Sequence, residues 1–89
     1  GFVQYVMRNV AGVSLPRTSR EQAKTGTAIK SSEMRPGDLI FYANKSGTVN
    51  HVAMYIGNGQ IVHAASRRSG IKISTWNYRT PKTIRRVLP

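Results

Sequence analysis

Apolar residues in the first ten positions recur at helical spacing. Phe2, Val3, Val6, Met7 and Val10 form one stripe, with Gln4, Arg8 and Asn9 away from it. The pattern predicts the body of a helix over Gly1 to Val10 that opens directly on its stripe, without a capping residue, and ends at Ala11-Gly12. Pro16 forbids helix continuation through the connection Val13 to Arg17. A second, short helix starts at Thr18 or Ser19, since Thr18 with Glu21 and Ser19 with Gln22 both have capping-box spacing. It does not pass Lys24, because Thr25-Gly26-Thr27 follows. Ser31 to Gly37 reads as a polar loop, and Arg35-Pro36-Gly37-Asp38 as a turn feeding a short, buried strand from Leu39 to Tyr42. Asn44 to Thr48 is a loop, and Asn50 to Ser66 is a pair of strands joined at Gly57-Asn58-Gly59. Arg67 to Gly70 turns the chain again. Ile71, Ile73 and Thr75 then alternate with Lys72 and Ser74 as a half-exposed strand, and Thr83 to Leu88 gives a last one. Helices followed by about five strands predict a single α+β domain, with N-terminal helices packed on an antiparallel sheet.

The paired strands carry both histidines of the chain, His51 and His63, and the turn decides whether they can meet. A plain two-residue turn at Asn58-Gly59 sets Met54 opposite His63 and sends the two imidazoles to opposite faces. A three-residue loop with Gly59 in the left-handed conformation instead sets Ile56 opposite Gln60 and Ala53 opposite His63. That register makes His51 and His63 diagonal neighbours on one face, roughly 7–8 Å apart at the backbone. It is the favoured one, because it needs a glycine at the third loop position. The same face then carries Ala53 and Ala65, small enough to leave room for something packed above them. The other face carries Val52, Met54, Ile56, Val62 and Ala64, an apolar set suited to a core.

Composition changes this picture in two respects. The 89 residues hold 14 Lys and Arg against 3 acidic residues, a net charge of +11, which implies a polyanionic partner or surroundings such as nucleic acid, anionic lipid or an anionic cell-wall polymer. A solvated basic surface is the plainer alternative. The chain also contains no cysteine, so neither disulfides nor thiolate metal sites can form within it. No apolar run reaches membrane-spanning length, and a zinc site would need more ligands than two histidines and three scattered acids offer. A nucleic-acid module is weakened by the lack of an RNA-binding strand signature and by few aromatics placed for base stacking.

The segments GFVQYV, LPRTSREQ, RPGDLIFY, NHVAMYIGNGQIVHAAS and IRRV, in this order over nearly the whole chain, resemble the NlpC-type family of cell-wall cysteine peptidases. The resemblance implies a papain-like fold, and no cofactor is expected. In that family the first helix opens with Asp-Cys-Ser-Gly-Phe-Val, the Cys being the nucleophile. This chain starts at the Gly of the pattern, so the Asp, Cys and Ser are expected just before Gly1, and residues 1 to 89 read as the peptidase domain truncated at its N-terminus. Alone, the 89 residues should be inactive. The resemblance further assigns the acid and base role to His51 and the orienting of its imidazole to His63, and it places Arg17 and Ser19 near the substrate groove. It implies hydrolysis of amide bonds in peptidoglycan stem peptides, commonly between D-glutamate and a diamino acid, by a monomeric bacterial or phage protein that is extracellular or held at the cell wall. Arg17 either contacts substrate or makes a structural ion pair or apolar cover. Asp38 is expected to fix backbone amides of its turn, and Trp76 and Tyr78 to be packing residues rather than a sugar platform. A domain that binds wall peptides without turnover is the alternative reading.

Overall fold

The computed structural model describes Met7, residues 19–66 and residues 70–88. The predicted first helix, apart from Met7, and Arg17 lie outside the described residues. A single helical turn, α1 (Ser19–Gln22), is followed by β1 (Thr27–Ala28), a 3-10 turn (Ser31–Glu33), β2 (Leu39–Ala43), β3 (Val49–Gly57), β4 (Gln60–Ser66), β5 (Gly70–Thr75) and β6 (Pro81–Arg86). The second helix stops where expected: the amides of Lys24 and Thr25 bond back to the carbonyls of Glu21 and Gln22, the Thr25 hydroxyl also donates to Gln22, and Gly26 then turns the chain with φ +66.

The described residues form one six-stranded antiparallel sheet in the order β1-β6-β2-β3-β4-β5. The sequence reading of about five strands missed β1, whose two residues are too short to show a period. It also set the last strand two residues late. β2 lies inside the sheet between β3 and β6. Leu39, Ile40, Phe41 and Tyr42 are all fully buried, which explains a run without polar alternation: both faces of β2 are covered. Leu39 and Phe41 join Met7 and Ala23 in one core, packed by Val49, Val52, Met54, Val87 and Leu88. Ile40 and Tyr42 enter a second core with Ala53, Ile61 and Ile84, packed by Ile29, Met34, Tyr55 and Trp76. Burying each large side chain here contributes about 1.5–3 kcal/mol. Ala53, expected to leave room for something packed above it, is part of this second core.

The entry to β2 is fixed by Asp38, which accepts a hydrogen bond from the backbone N–H of Arg35 at 2.8 Å, as anticipated. Its carboxylate also receives the Arg86 guanidinium in a two-pronged contact, Nε to Oδ1 at 3.0 Å and Nη2 to Oδ2 at 2.9 Å. A turn before β2 is thus tied to the end of β6, across 48 residues of chain.

β5 lies at one end of the sheet, paired with β4. Its Ile71 and Ile73 are 60% and 57% exposed, more than the half-exposed strand expected from the alternation. Lys72 and Ser74 face the other way, on the side of the histidines.

Candidate active site

The two histidines share one face, and the hairpin achieves this differently from the expected three-residue loop. Gly57 pairs with Gln60 across a two-residue turn, in which Asn58 (φ +54) and Gly59 (φ +74) both take the left-handed backbone that favours tight hairpins. Left there, the register would place the histidines on opposite faces. Ile56 is an extra residue on β3, a bulge between the pairs Gly57↔Gln60 and Tyr55↔Ile61. The one-residue shift restores the alternation that brings Met54 opposite Val62, and His63 becomes the diagonal neighbour of His51. The turn is pinned from below, since the Gly59 N–H donates to the Tyr55 hydroxyl at 2.9 Å.

His51 Nε2 lies 2.7 Å from His63 Nδ1, with the rings edge to face at 4.9 Å between centroids. His63 Nε2 in turn lies 3.0 Å from Ser74 Oγ on β5. Three strands contribute one group each to a continuous hydrogen-bonded row. His63 is almost fully buried and His51 partly so. Burial disfavours the charged imidazole and holds both below the ordinary value of 6.5; His63 and Arg79 push His51 further down, and Lys72 does the same to His63. Near neutral pH both rings are therefore uncharged, and each has one N–H and one lone pair.

Around the row lies a cleft of about 310 Å3 lined by Asn50, His51, His63, Lys72, Ser74, Tyr78 and Arg79. Tyr78 packs against the His63 ring at 5.4 Å and meets Tyr42 edge-on at 5.3 Å. The Arg79 guanidinium sits 5.5 Å above the Tyr42 ring and donates to the Ala43 carbonyl at 2.9 Å and to Asn50 Oδ1 at 3.2 Å. Tyr42 anchors the whole segment from beneath, its hydroxyl donating to the Trp76 carbonyl at 2.5 Å. Two cations, Lys72 and Arg79, and no carboxylate line the cleft among the described residues, so it favours anionic groups.

Of the site residues expected from the sequence, His51 and His63 are brought together and Ser19 opens α1. Trp76 is a packing residue, as expected. Tyr78 also packs, but it is 45% exposed and lines the cleft. Lys72, Ser74 and Arg79 were not anticipated. Alternation does place Lys72 and Ser74 on one face, but only the β4–β5 register, His63↔Lys72, delivers that face to the histidines.

Comparison with known proteins agrees with this fold. The model of the NlpC/P60 family matches residues 1–87. The murein DD-endopeptidase and murein LD-carboxypeptidase MepS of Escherichia coli K12 is 46% identical over 77 residues, which is 86% of this chain and 40% of that protein. This chain thus spans less than half the length of that relative. Among solved structures, an NlpC/P60 family protein of Bacillus cereus superposes with a TM-score of 0.90 at 33% identity, over 99% of this chain and 30% of the other. RipD of Mycobacterium tuberculosis, a non-catalytic NlpC/p60 domain protein adapted to peptidoglycan binding, gives a TM-score of 0.79 at 34% identity, over 99% of this chain and 64% of its own. By the family match over residues 1–87 and by the sheet that carries its two histidines, the chain belongs to the NlpC/P60 family.

Proposed function

We propose that this domain serves a peptidoglycan hydrolase acting as a cysteine endopeptidase on amide bonds of stem peptides, the bond between D-glutamate and a diamino acid being the favoured target. The observation that carries the reading is the His51–His63 contact at the edge of a basic cleft. In this reading the nucleophilic thiol is the Cys of the family pattern Asp-Cys-Ser-Gly-Phe-Val, ahead of Gly1 and at the start of the helix that the sequence predicts over Gly1 to Val10, because a helix dipole lowers a thiol pKa. His51 Nε2 is engaged by His63, so Nδ1 is the nitrogen left for the thiol proton. The thiolate attacks the amide carbon, and the proton held on Nδ1 passes to the leaving amine as the C–N bond breaks. Water then attacks the thioester and gives a proton back to His51, and the thiol is regenerated as the new carboxylate leaves. His63 accepts the Nε2–H of His51 throughout, which steadies the ring and its transient positive charge.

The free carboxylates of stem peptides suit a cleft lined by Lys72 and Arg79. Arg17 and Ser19 are further proposed substrate contacts, and the net charge of +11 would hold an extracellular, monomeric domain on anionic wall polymers. A second reading, a wall-peptide-binding domain without turnover, is favoured by the likeness to RipD, a non-catalytic NlpC/p60 domain protein. Digestion of purified muropeptides, read by mass spectrometry, separates the two. A chain extended by the Cys-bearing segment should release products split after D-glutamate; binding of the same muropeptides with no product would sink the peptidase reading and leave the binding one.

A further inference from the structure

The row of contacts across β3, β4 and β5 holds more information than two distances, because every link needs one hydrogen and one lone pair. A neutral imidazole has one of each, so the tautomers of His51 and His63 are coupled through Ser74. If the Ser74 hydroxyl donated to His63 Nε2, His63 would carry its proton on Nδ1 and donate it to His51 Nε2. His51 would then have its N–H on Nδ1, with no lone pair left for a thiol proton. If instead Ser74 Oγ accepts from His63 Nε2–H, His63 offers the Nδ1 lone pair to His51 Nε2–H. His51 Nδ1 is then a free base.

Two features favour the second arrangement. Ser74 is half-buried and lines the cleft, so its own hydroxyl hydrogen can go to water while its oxygen accepts from His63. The same arrangement also receives a protonated His51 without moving any other proton, because His63 Nδ1 is already an acceptor. We infer that Ser74 is a positioning residue, the outer member of the row His51–His63–Ser74, whose oxygen fixes His63 as the Nε2–H tautomer and so holds His51 in the tautomer that works as a base. Ser74 touches no reacting atom in this scheme. Its catalytic consequence rests on the peptidase reading, whereas its effect on His63 does not.

The test is the tautomeric state of both rings, read from long-range proton–nitrogen correlation spectra of the 15N-labelled 89-residue chain at pH 7.5, for the wild type, Ser74→Ala and Ser74→Thr. The expected result is Nε2–H at both histidines in the wild type and in Ser74→Thr, with His63 in Ser74→Ala shifting to a mixture of Nε2–H and Nδ1–H. His63 as Nδ1–H in the wild type, or an unchanged His63 tautomer in Ser74→Ala, would overturn the inference. Should Ser74→Ala not fold, the wild-type spectrum decides alone. In the chain extended by the Cys-bearing segment, Ser74→Ala should lower kcat on the order of tenfold or more with KM little changed, and Ser74→Thr should restore it. The expected tautomers without muropeptide cleavage by the extended wild type would leave Ser74 in its role and remove the peptidase reading.

Discussion

The Tyr42 hydroxyl helps to fasten the β5–β6 connection, with its cleft residues Tyr78 and Arg79, to the buried centre of the sheet, beside the Arg79 hydrogen bond to the Ala43 carbonyl. The ring is fully buried among Ile40, Ala53, Ile61 and Ile84, and its hydroxyl donates to the Trp76 carbonyl 34 residues away. Tyr42→Phe keeps the ring and its packing, so no cavity of consequence opens. What is lost is one hydrogen bond, net about 0.5–1.5 kcal/mol, with an added penalty for a carbonyl left partly buried without its donor. The expected total is about 1–2 kcal/mol. In a domain of this size each kcal/mol lowers the melting temperature by about 4–8 °C. Thermal unfolding followed by far-ultraviolet circular dichroism measures the loss. Because Tyr78 packs on His63, the variant should also perturb the His63 resonances, although position 42 is two strands from β4. A Tyr42→Phe protein as stable as the wild type, with unmoved histidine signals, would refute the claim that this bond holds the cleft together.

Burial, with the nearby Tyr78, pushes the Tyr42 phenol well above the ordinary value of 10, so it stays protonated when exposed tyrosines ionise. An ultraviolet alkaline titration should show Tyr42 ionising last, and stability falling once pH rises past about 10, where the unfolded chain releases this proton and the folded one keeps it. The histidines act with the opposite sense. Their folded values lie below 6.5, so the unfolded chain binds more protons in acid; stability is full above about 6.5 and declines as pH falls below it. Urea unfolding at pH 7.5 and 5.5 should show that decline, and His63→Gln should flatten it. Gly26→Ala would set a Cβ 2.3 Å from the Arg86 carbonyl oxygen at φ +66 and should cost about 2 kcal/mol or more, whereas Gly70→Ala, at φ +64 and with nothing beyond its chain neighbours within 4 Å among the described residues, should cost only about 1–2 kcal/mol of backbone strain in the same denaturation assay. Retention on isolated Gram-positive cell walls should be lost at high salt if the charge of +11 is what holds the protein there; undiminished retention would remove electrostatics as the cause.

The hairpin shows how far sequence reasoning reaches. Counting glycines pointed to the register that unites His51 and His63, yet it misread the device. The glycine-rich turn itself is the two-residue kind, and the correcting residue is Ile56, an ordinary β-branched side chain with nothing in its chemistry to mark a bulge. Asp38 was legible because an aspartate after Pro-Gly acts locally, on the amide of Arg35. Its second partner, Arg86, was not, because that contact exists only once β6 lies beside β2. The same holds for the cleft. Ser74 and Arg79 are unremarkable polar residues in sequence, and they become part of a site through β4–β5 pairing and through the fastening of the β5–β6 connection. Local patterning specified β2 to β5 and the burial of β2, but not β1 or the exposure of Ile56, Ile71 and Ile73; the assembly of the site depended on long-range register, which no short window encodes.

Kinetics of the Cys-bearing chain and its two histidine variants on muropeptides test the central claim most directly. If His51 moves the protons and His63 orients it, His51→Ala should lower kcat/KM on the order of a hundredfold or more with the fold intact, and His63→Ala should cost less. Equal losses of activity and thermal stability in His51→Ala, or turnover that survives without His51, would contradict the account.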